Sequence, residues 1–356
     1  MPNCPYCFDT VAAPGSPATL DTTRIMAPNP IILGVQVSRL VYPTPMVSWR
    51  PNAVILAPLE PFQYALAATS LSHFPFNAPI LLTHPYHLAP EVCAEIQRLN
   101  PPGKGLPFQI ILVGPLSPAI GGQLAQMGYR VKHIMGNDPY DTAAKIARAQ
   151  VEITGERTKD LMVVAGEYYP CALPAAYYAA HSGVPILFAA RTALYPATRE
   201  YIREAGNPNV YVVGTEQIPG PEVVREIQSL TGGFVDRISG ANPAEVAVNF
   251  SRYKSPVNDF GWARNQPGKG DAFTFATGQP WQTAVVGAIL GHLGKHTPLL
   301  LVEQNRVPPV VESYLTALQP HHEGHHSMPP FMHGFVLGNL QEISFPTQAR
   351  LEELLN

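Results

Sequence analysis

The chain has 356 residues, 23 Lys and Arg against 26 Asp and Glu, and a formal net charge of −3. That is length enough for more than one hydrophobic core, and the charge balance leaves no basic footprint for nucleic acid. Charged residues make up only 14%, about half the usual share, while 39 prolines are roughly twice the usual share, and no run approaches the ~18 apolar residues of a membrane span.

Residues 1–35 read as an extended arm: proline recurs at Pro2, Pro5, Pro14, Pro17, Pro28 and Pro30 with Ser and Thr between. No secretory signal is legible in it. Within it, Cys4-Pro5-Tyr6-Cys7 has the form of a redox tetrapeptide. That chemistry needs a strand before the first sulfur and a helix after it, and neither fits three residues from the start of the sequence. Cys4 and Cys7 stand as disulfide or metal candidates, or as two free thiols. Ile25, Met26, Ile31 and Ile32 are the apolar side chains with which such an arm would dock, on its own body or on a neighbouring copy.

From residue 53 the pattern changes. A short apolar run at 53–57 is followed by an Ala/Leu-rich helical stretch, a Pro-led run at 79–83, a second helical stretch at 90–99 and a run at 109–113 closed by Gly114. The order returns at 161–165, 184–188 and 210–214, and again at 272–276, 297–301 and 334–338. Unbroken apolar runs alternating with helix-length segments predict parallel strands covered on both faces. Pro79, Pro185 and Pro298 are predicted to enter the middle strand of each unit. The fold class is α/β: three tandem Rossmann-like or flavodoxin-like modules with parallel sheets, at 36–136, 137–240 and 241–356, plus the extended N-terminal arm. Their net charges are +3, −3 and −2, with −1 on the arm.

At these residues the sequence resembles the cell wall binding repeat 2 family of Gram-positive surface proteins. The family carries an apolar strand, an Asp-Ala-Leu helix start, a Pro-Ile-Leu-Leu strand and a Gly-x-Asp-x-Tyr-x-Thr-Ala joint between repeats. The joint stands here as Gly136-Asn137-Asp138-Pro139-Tyr140-Asp141-Thr142-Ala143 and, altered, as Gly240-Ala241-Asn242-Pro243. The acidic residue of the helix start is replaced by Tyr64, Cys171 and Thr283, the first joint is missing, and Pro139 stands where the family has arginine. The resemblance implies a non-enzymatic protein, extracellular or on the cell surface, that binds anionic cell-wall polysaccharide, associates with copies of itself, or does both. A cytoplasmic location is the alternative.

The residues themselves leave a second class open, a soluble Rossmann-like enzyme or ligand-binding protein with its site at the strand-to-helix turns near Glu60, Glu167 and Gln279. The Gly-Lys-Gly loops at 103–105 and 268–270 precede strands rather than helices and are turns, not phosphate cradles. Ser117, His73 and Asp138 have ordinary roles as a helix cap, a core-edge imidazole and the joint. No cofactor is expected. His321, His322, His325 and His326 form a loop with the donors for a surface metal. The chain ends in an amphipathic helix over 346–355.

Overall fold

The computed structural model describes residues 18–44, 46–293, 296–319 and 330–356, and among them stand three four-stranded sheets, every strand pairing parallel. Strand β1 (Thr22–Ile25) and helix α1 (Pro30–Val41) come first. Module one then runs β2 (Val54–Pro58), α2 (Phe62–Ala68), β3 (Ile80–Thr83), α3 (Pro90–Leu99), β4 (Ile110–Val113), α4 (Pro118–Gln126) and β5 (Val131–Ile134). Helix α5 (Pro139–Thr154) leads to module two: β6 (Asp160–Ala165), α6 (Leu173–Ser182), β7 (Ile186–Ala189), α7 (Pro196–Glu204), β8 (Asn209–Gly214), α8 (Pro221–Leu230) and β9 (Val235–Ser239). Helix α9 (Pro243–Arg252) leads to module three: β10 (Ala272–Thr277), α10 (Trp281–Val286), β11 (Leu299–Val302), α11 (Pro309–Leu318), β12 (His333–Leu337) and α12 (Phe345–Leu355).

The first two sheets have the orders β3-β2-β4-β5 and β7-β6-β8-β9, and their central strands are buried along their whole length or nearly so, as continuous apolar runs require. The Pro-led strands occupy equivalent places. The carbonyls of Pro79, Pro185 and Pro298 each accept a hydrogen bond, from the backbone N–H of Ile55, Met162 and Thr274, all at 3.0 Å. They lead the second strand in sequence, which in space is a sheet edge rather than the middle. An edge suits proline, which has no N–H to give a further neighbour.

The proline excess has a local explanation. Ten of the twelve described α-helices carry proline at their first or second position, where its missing N–H has no intrahelical partner to lose. Ten of the 39 prolines therefore start helices.

The arm is the main correction. From Thr22 onward it is not extended chain without a core: β1 pairs with β12 (Thr22↔Gly334 to Ile25↔Leu337) and completes the third sheet as β1-β12-β10-β11. Helix α1 then packs on β3 and α3 of module one. This is what α5 does to β7 and α7, and α9 to β11 and α11: each helix after a fourth strand crosses to the next module. The cap of a joint, without its glycine, also stands before module one. Asn29, Asp138 and Asn242 cap the three crossing helices, accepting from Ile32 N at 3.0 Å, from Tyr140 N and Asp141 N at 2.8 and 2.7 Å, and from Glu245 N at 3.0 Å, and proline follows each cap. The joint glycines are steric. A Cβ on Gly136 or Gly240 would lie 2.5 or 2.6 Å from the backbone nitrogen six residues on.

The three modules thus form a closed ring with approximate threefold symmetry, and the first helices α2, α6 and α10 meet about its axis. Tyr177 of α6, fully buried, donates to the Ala284 carbonyl of α10 at 3.0 Å. Gly291 lets the two modules approach: a Cβ there would stand 2.5 Å from the Tyr177 carbonyl oxygen.

Candidate functional site

Threefold repetition gives three related turns on one end of the ring, where β2, β6 and β10 run into their helices beside the crossing helix from the preceding module. At the first turn the Glu60 carboxylate accepts from Trp281 Nε1 (3.1 and 3.2 Å) and from Gln282 Nε2 (2.8 Å), and that amide also donates to the Leu59 carbonyl at 3.1 Å. Module three therefore grips module one through the turn. At the second turn Gln63 repeats the contact, donating to the Gly166 carbonyl at 2.7 Å. Gln63 and Gln282 each stand ten residues before a histidine at the far end of their helix, and in module two that place is Cys171. Beside Gly166, the rings of Tyr140 and Tyr195 stack at 3.5 Å with 8° between their planes, and Tyr195 donates to Glu167 Oε1 at 3.1 Å. Burial, then the contact with Tyr140, holds the Tyr195 hydroxyl far above the ordinary phenol range, so it acts as a hydrogen-bond donor.

The third turn is open. A groove of about 910 Å3 runs between modules two and three, from Tyr168 and Pro170 past the α9 N-terminus to Gln279 and Arg306. Its apolar walls are largely proline and valine; its polar groups are amides, the Arg306–Glu303 pair (2.6 Å) and Glu342, which accepts from Thr283 Oγ1 at 2.7 Å. Apolar walls with a few fixed donors and acceptors suit an extended, hydroxyl-rich ligand.

The opposite end of the axis carries a feature that the sequence reading missed. His73, His181 and His292 end the three axial helical segments at equivalent positions. The His73 and His292 rings lie 4.7 Å apart, and His181 Nδ1 is 3.1 Å from His296 Nδ1. The signal was available: each stands four to six residues before a strand-leading proline. Burial pushes His181 and His292 down to about 4 and lowers His73 and His296, and the other imidazoles and Arg264 add to the effect. The groups facing the cluster are Asn77, which pairs with His292 Nε2 at 2.9 Å, Trp262, stacked on His181, and Arg264, paired with Asp271 at 2.9 Å.

The folded chain keeps these imidazoles neutral at pH values where an unfolded histidine, near 6.5, is already protonated. Stability is therefore expected to be level above about pH 6.5 and to fall as pH drops from there towards 4. The expected loss is about 1–2 kcal/mol, below the full linkage value because the cluster is partly open to solvent. Urea midpoints at pH 7 and 5 check this. The His181→Gln variant should show a flatter dependence, and parallel curves for the two proteins would remove the cluster as the cause.

The remaining sequence candidates separate. Ile25 and Ile31 are buried, Ile32 is half-buried against the core, and Met26 is 45% exposed. Ser117 caps α4, accepting from Ala119 N at 3.3 Å, as expected. Cys4, Cys7, His321, His322, His325 and His326 lie outside the described residues. Among the described residues no three His, Cys, Asp or Glu side chains stand in position to hold a metal ion, and no helix is long and apolar enough to cross a membrane.

Residues 133–224, which span the joint and most of module two, match the family described as Cell wall binding domain 2 (CWB2). Over 230 residues the chain is 28% identical to the N-acetylmuramoyl-L-alanine amidase LytC of Bacillus subtilis (strain 168), a match covering 64% of this chain and 42% of that protein. It is 27% identical over 271 residues to the amidase enhancer of the same organism, covering 74% of this chain and 33% of the relative. The chain thus spans less than half the length of either. The structures of Cwp6 and Cwp8 from Clostridium difficile share the fold, with TM-scores of 0.76 and 0.71 over 94% and 95% of this chain and 48% and 52% of theirs, at 17% and 19% identity.

Proposed function

We propose that this chain, whose second module belongs to the cell wall binding domain 2 family, is a non-enzymatic surface protein that binds a cell-wall glycopolymer along the strand-end face of its ring. The observation that carries the reading is the open groove between modules two and three, at the turn where the two related positions are filled by Trp281 on Glu60 and by the Tyr140–Tyr195 stack. The related wall enzyme and its enhancer are longer than the region they share with this chain, which supports binding rather than catalysis as the shared property. The polymer is anionic in this proposal, and the protein acts outside the cell or at its surface.

Sedimentation of the purified chain with Gram-positive walls tests it. The chain should pellet with intact walls and not with walls stripped of anionic polymer by hydrofluoric acid. The double variant Tyr168→Ala/Gln279→Ala should bind about tenfold more weakly, the loss of one aromatic platform and one amide contact. No pelleting with intact walls would end the wall-binding reading, and equal pelleting with stripped walls would end the anionic one.

Self-association is part of the same proposal. Strand β1 lies at a sheet edge and is held by its own chain here. The β1 of a second copy fits the same slot, which supports exchange between neighbours. Light scattering of the full chain at several concentrations reads it: the mass should grow with concentration, and a mass that stays at one chain throughout would end the self-association reading.

A further inference from the structure

Between modules one and two, at the end of the axis away from the strand-end face, lies a second and larger cleft of about 1130 Å3. It is built from the segments that lead into strands: Arg50 and Asn52 before β2, Lys104 in the turn before β4, Arg157 and Lys159 before β6, and Pro185 before β7. Four cations line it against two acids, Glu156 and Asp160, in a chain whose net charge is −3. The balance is more one-sided than the count, because the Asp160 carboxylate is tied by the amides of Asn209 and Asn258 at 2.9 and 2.8 Å. Arg50 donates to the Asn100 carbonyl. Lys104, Arg157 and Lys159 are exposed and enter no ion pair among the described residues.

A further feature points to an occupant: Phe74, on the cleft wall, is 68% exposed.

We infer that this cleft is a separate binding site for a phosphate-bearing glycopolymer, its phosphates taken by Lys104, Arg157 and Lys159 and a sugar or polyol unit resting on Phe74. Three cations outside any ion pair among the described residues, on a cleft of about 1130 Å3, suit a repeating charge rather than a single small anion. One exposed ring, rather than a row of them, argues against single-stranded nucleic acid, which is held by successive stacked bases. The inference rests on the wall-binding reading only for where the polymer comes from, since the site is chemically and spatially apart from the strand-end groove.

Titration calorimetry of the full chain with synthetic poly(glycerol phosphate), at 50 and 200 mM salt, tests it. The unaltered chain should bind, and Lys104→Ala/Arg157→Ala/Lys159→Ala should bind about tenfold or more weakly with a shallower salt dependence, as fewer counterions are released. A variant with the same charge change elsewhere, Arg203→Ala/Arg225→Ala/Lys254→Ala, should stay within about twofold of the unaltered chain. Circular dichroism confirms that both variants fold. Tyr168→Ala/Gln279→Ala should keep the cleft-dependent part, which separates this site from the strand-end groove. The inference is overturned if the unaltered chain does not bind, if the two triple variants weaken equally, or if an oligothymidylate of equal charge binds more tightly than poly(glycerol phosphate).

Discussion

A chain lacking residues 1–29 is expected to lose the cooperative folding of its third module, the largest effect foreseen for any change away from the ring axis. Without β1 the amides of Gly334 and Gly338 lose the carbonyls of Asp21 and Ile25, at 2.8 and 3.0 Å, and β12 becomes an open edge. The loss goes deeper through Arg24, which is 3% exposed. Its guanidinium donates to Gln348 Oε1 at 2.7 Å and to the carbonyls of Gly338, Asn339 and Ser344 at 3.1, 3.2 and 3.4 Å, tying the C-terminal loop and α12 to the first strand. Burial lowers its pKa to about 10, with the charge of Glu342 opposing. The single variant Arg24→Met keeps the strand and removes only these bonds, and should cost about 3 kcal/mol. Hydrogen exchange at β12 and α12 measures both changes. Protection in those elements equal to that of the intact chain would show that β1 is an ornament on a self-sufficient module.

Glu95→Ala is expected to destabilise the chain by about 3–4 kcal/mol, because it leaves a polar site without its central acceptor. Glu95 sits on α3 with its side chain wholly buried. It accepts from Ser38 Oγ of α1 at 2.6 Å, from Arg98 Nη2 at 2.6 Å and Nε at 2.8 Å, and from Arg39 Nε at 3.3 Å. Arg98 in turn donates to the Tyr42 carbonyl at 2.8 Å, so the carboxylate fastens the crossing helix to module one. The worth of the α1 contact is read by a urea double-mutant cycle with Ser38→Ala, where strong coupling is expected. Additive losses would mean that Glu95 supports α3 alone.

What could be read from the sequence was whatever a segment carries by itself. The strands at 53–57, 79–83 and 109–113 announce themselves because central parallel strands are apolar on both faces, and they appear as Val54–Pro58, Ile80–Thr83 and Ile110–Val113. The helix expected at 346–355 likewise appears as Phe345–Leu355. Strand β1 was illegible for the opposite reason. Thr22-Thr23-Arg24-Ile25 places an arginine at a buried position, and only Gln348 and three carbonyls from the far end of the chain make that position tolerable. Pro28 and Pro30 then gave the segment the look of an arm, although proline after Asn29 is a helix-start signal in its own right. The axial histidines are individually ordinary and acquire meaning only when three modules bring three helix ends together. The basic cleft is scattered in the same way: Arg50, Lys104, Arg157 and Lys159 belong to three separate connecting segments.

The pairing of β1 with β12 also fixes an order of events. Thr23 and His333 are in contact across 310 residues of sequence, so β1 is made long before the strand it pairs with. Modules one and two have all their strands close in sequence and can fold as the chain appears, whereas the third sheet is left one strand short until the whole chain is available. During that interval β1 is a loose end and β12 a receptive one, and the two ends of a neighbouring molecule are in the same state. Whether the ring closes on itself or on that neighbour is then a race, decided by local concentration and by the speed of synthesis rather than by the contacts of the finished fold.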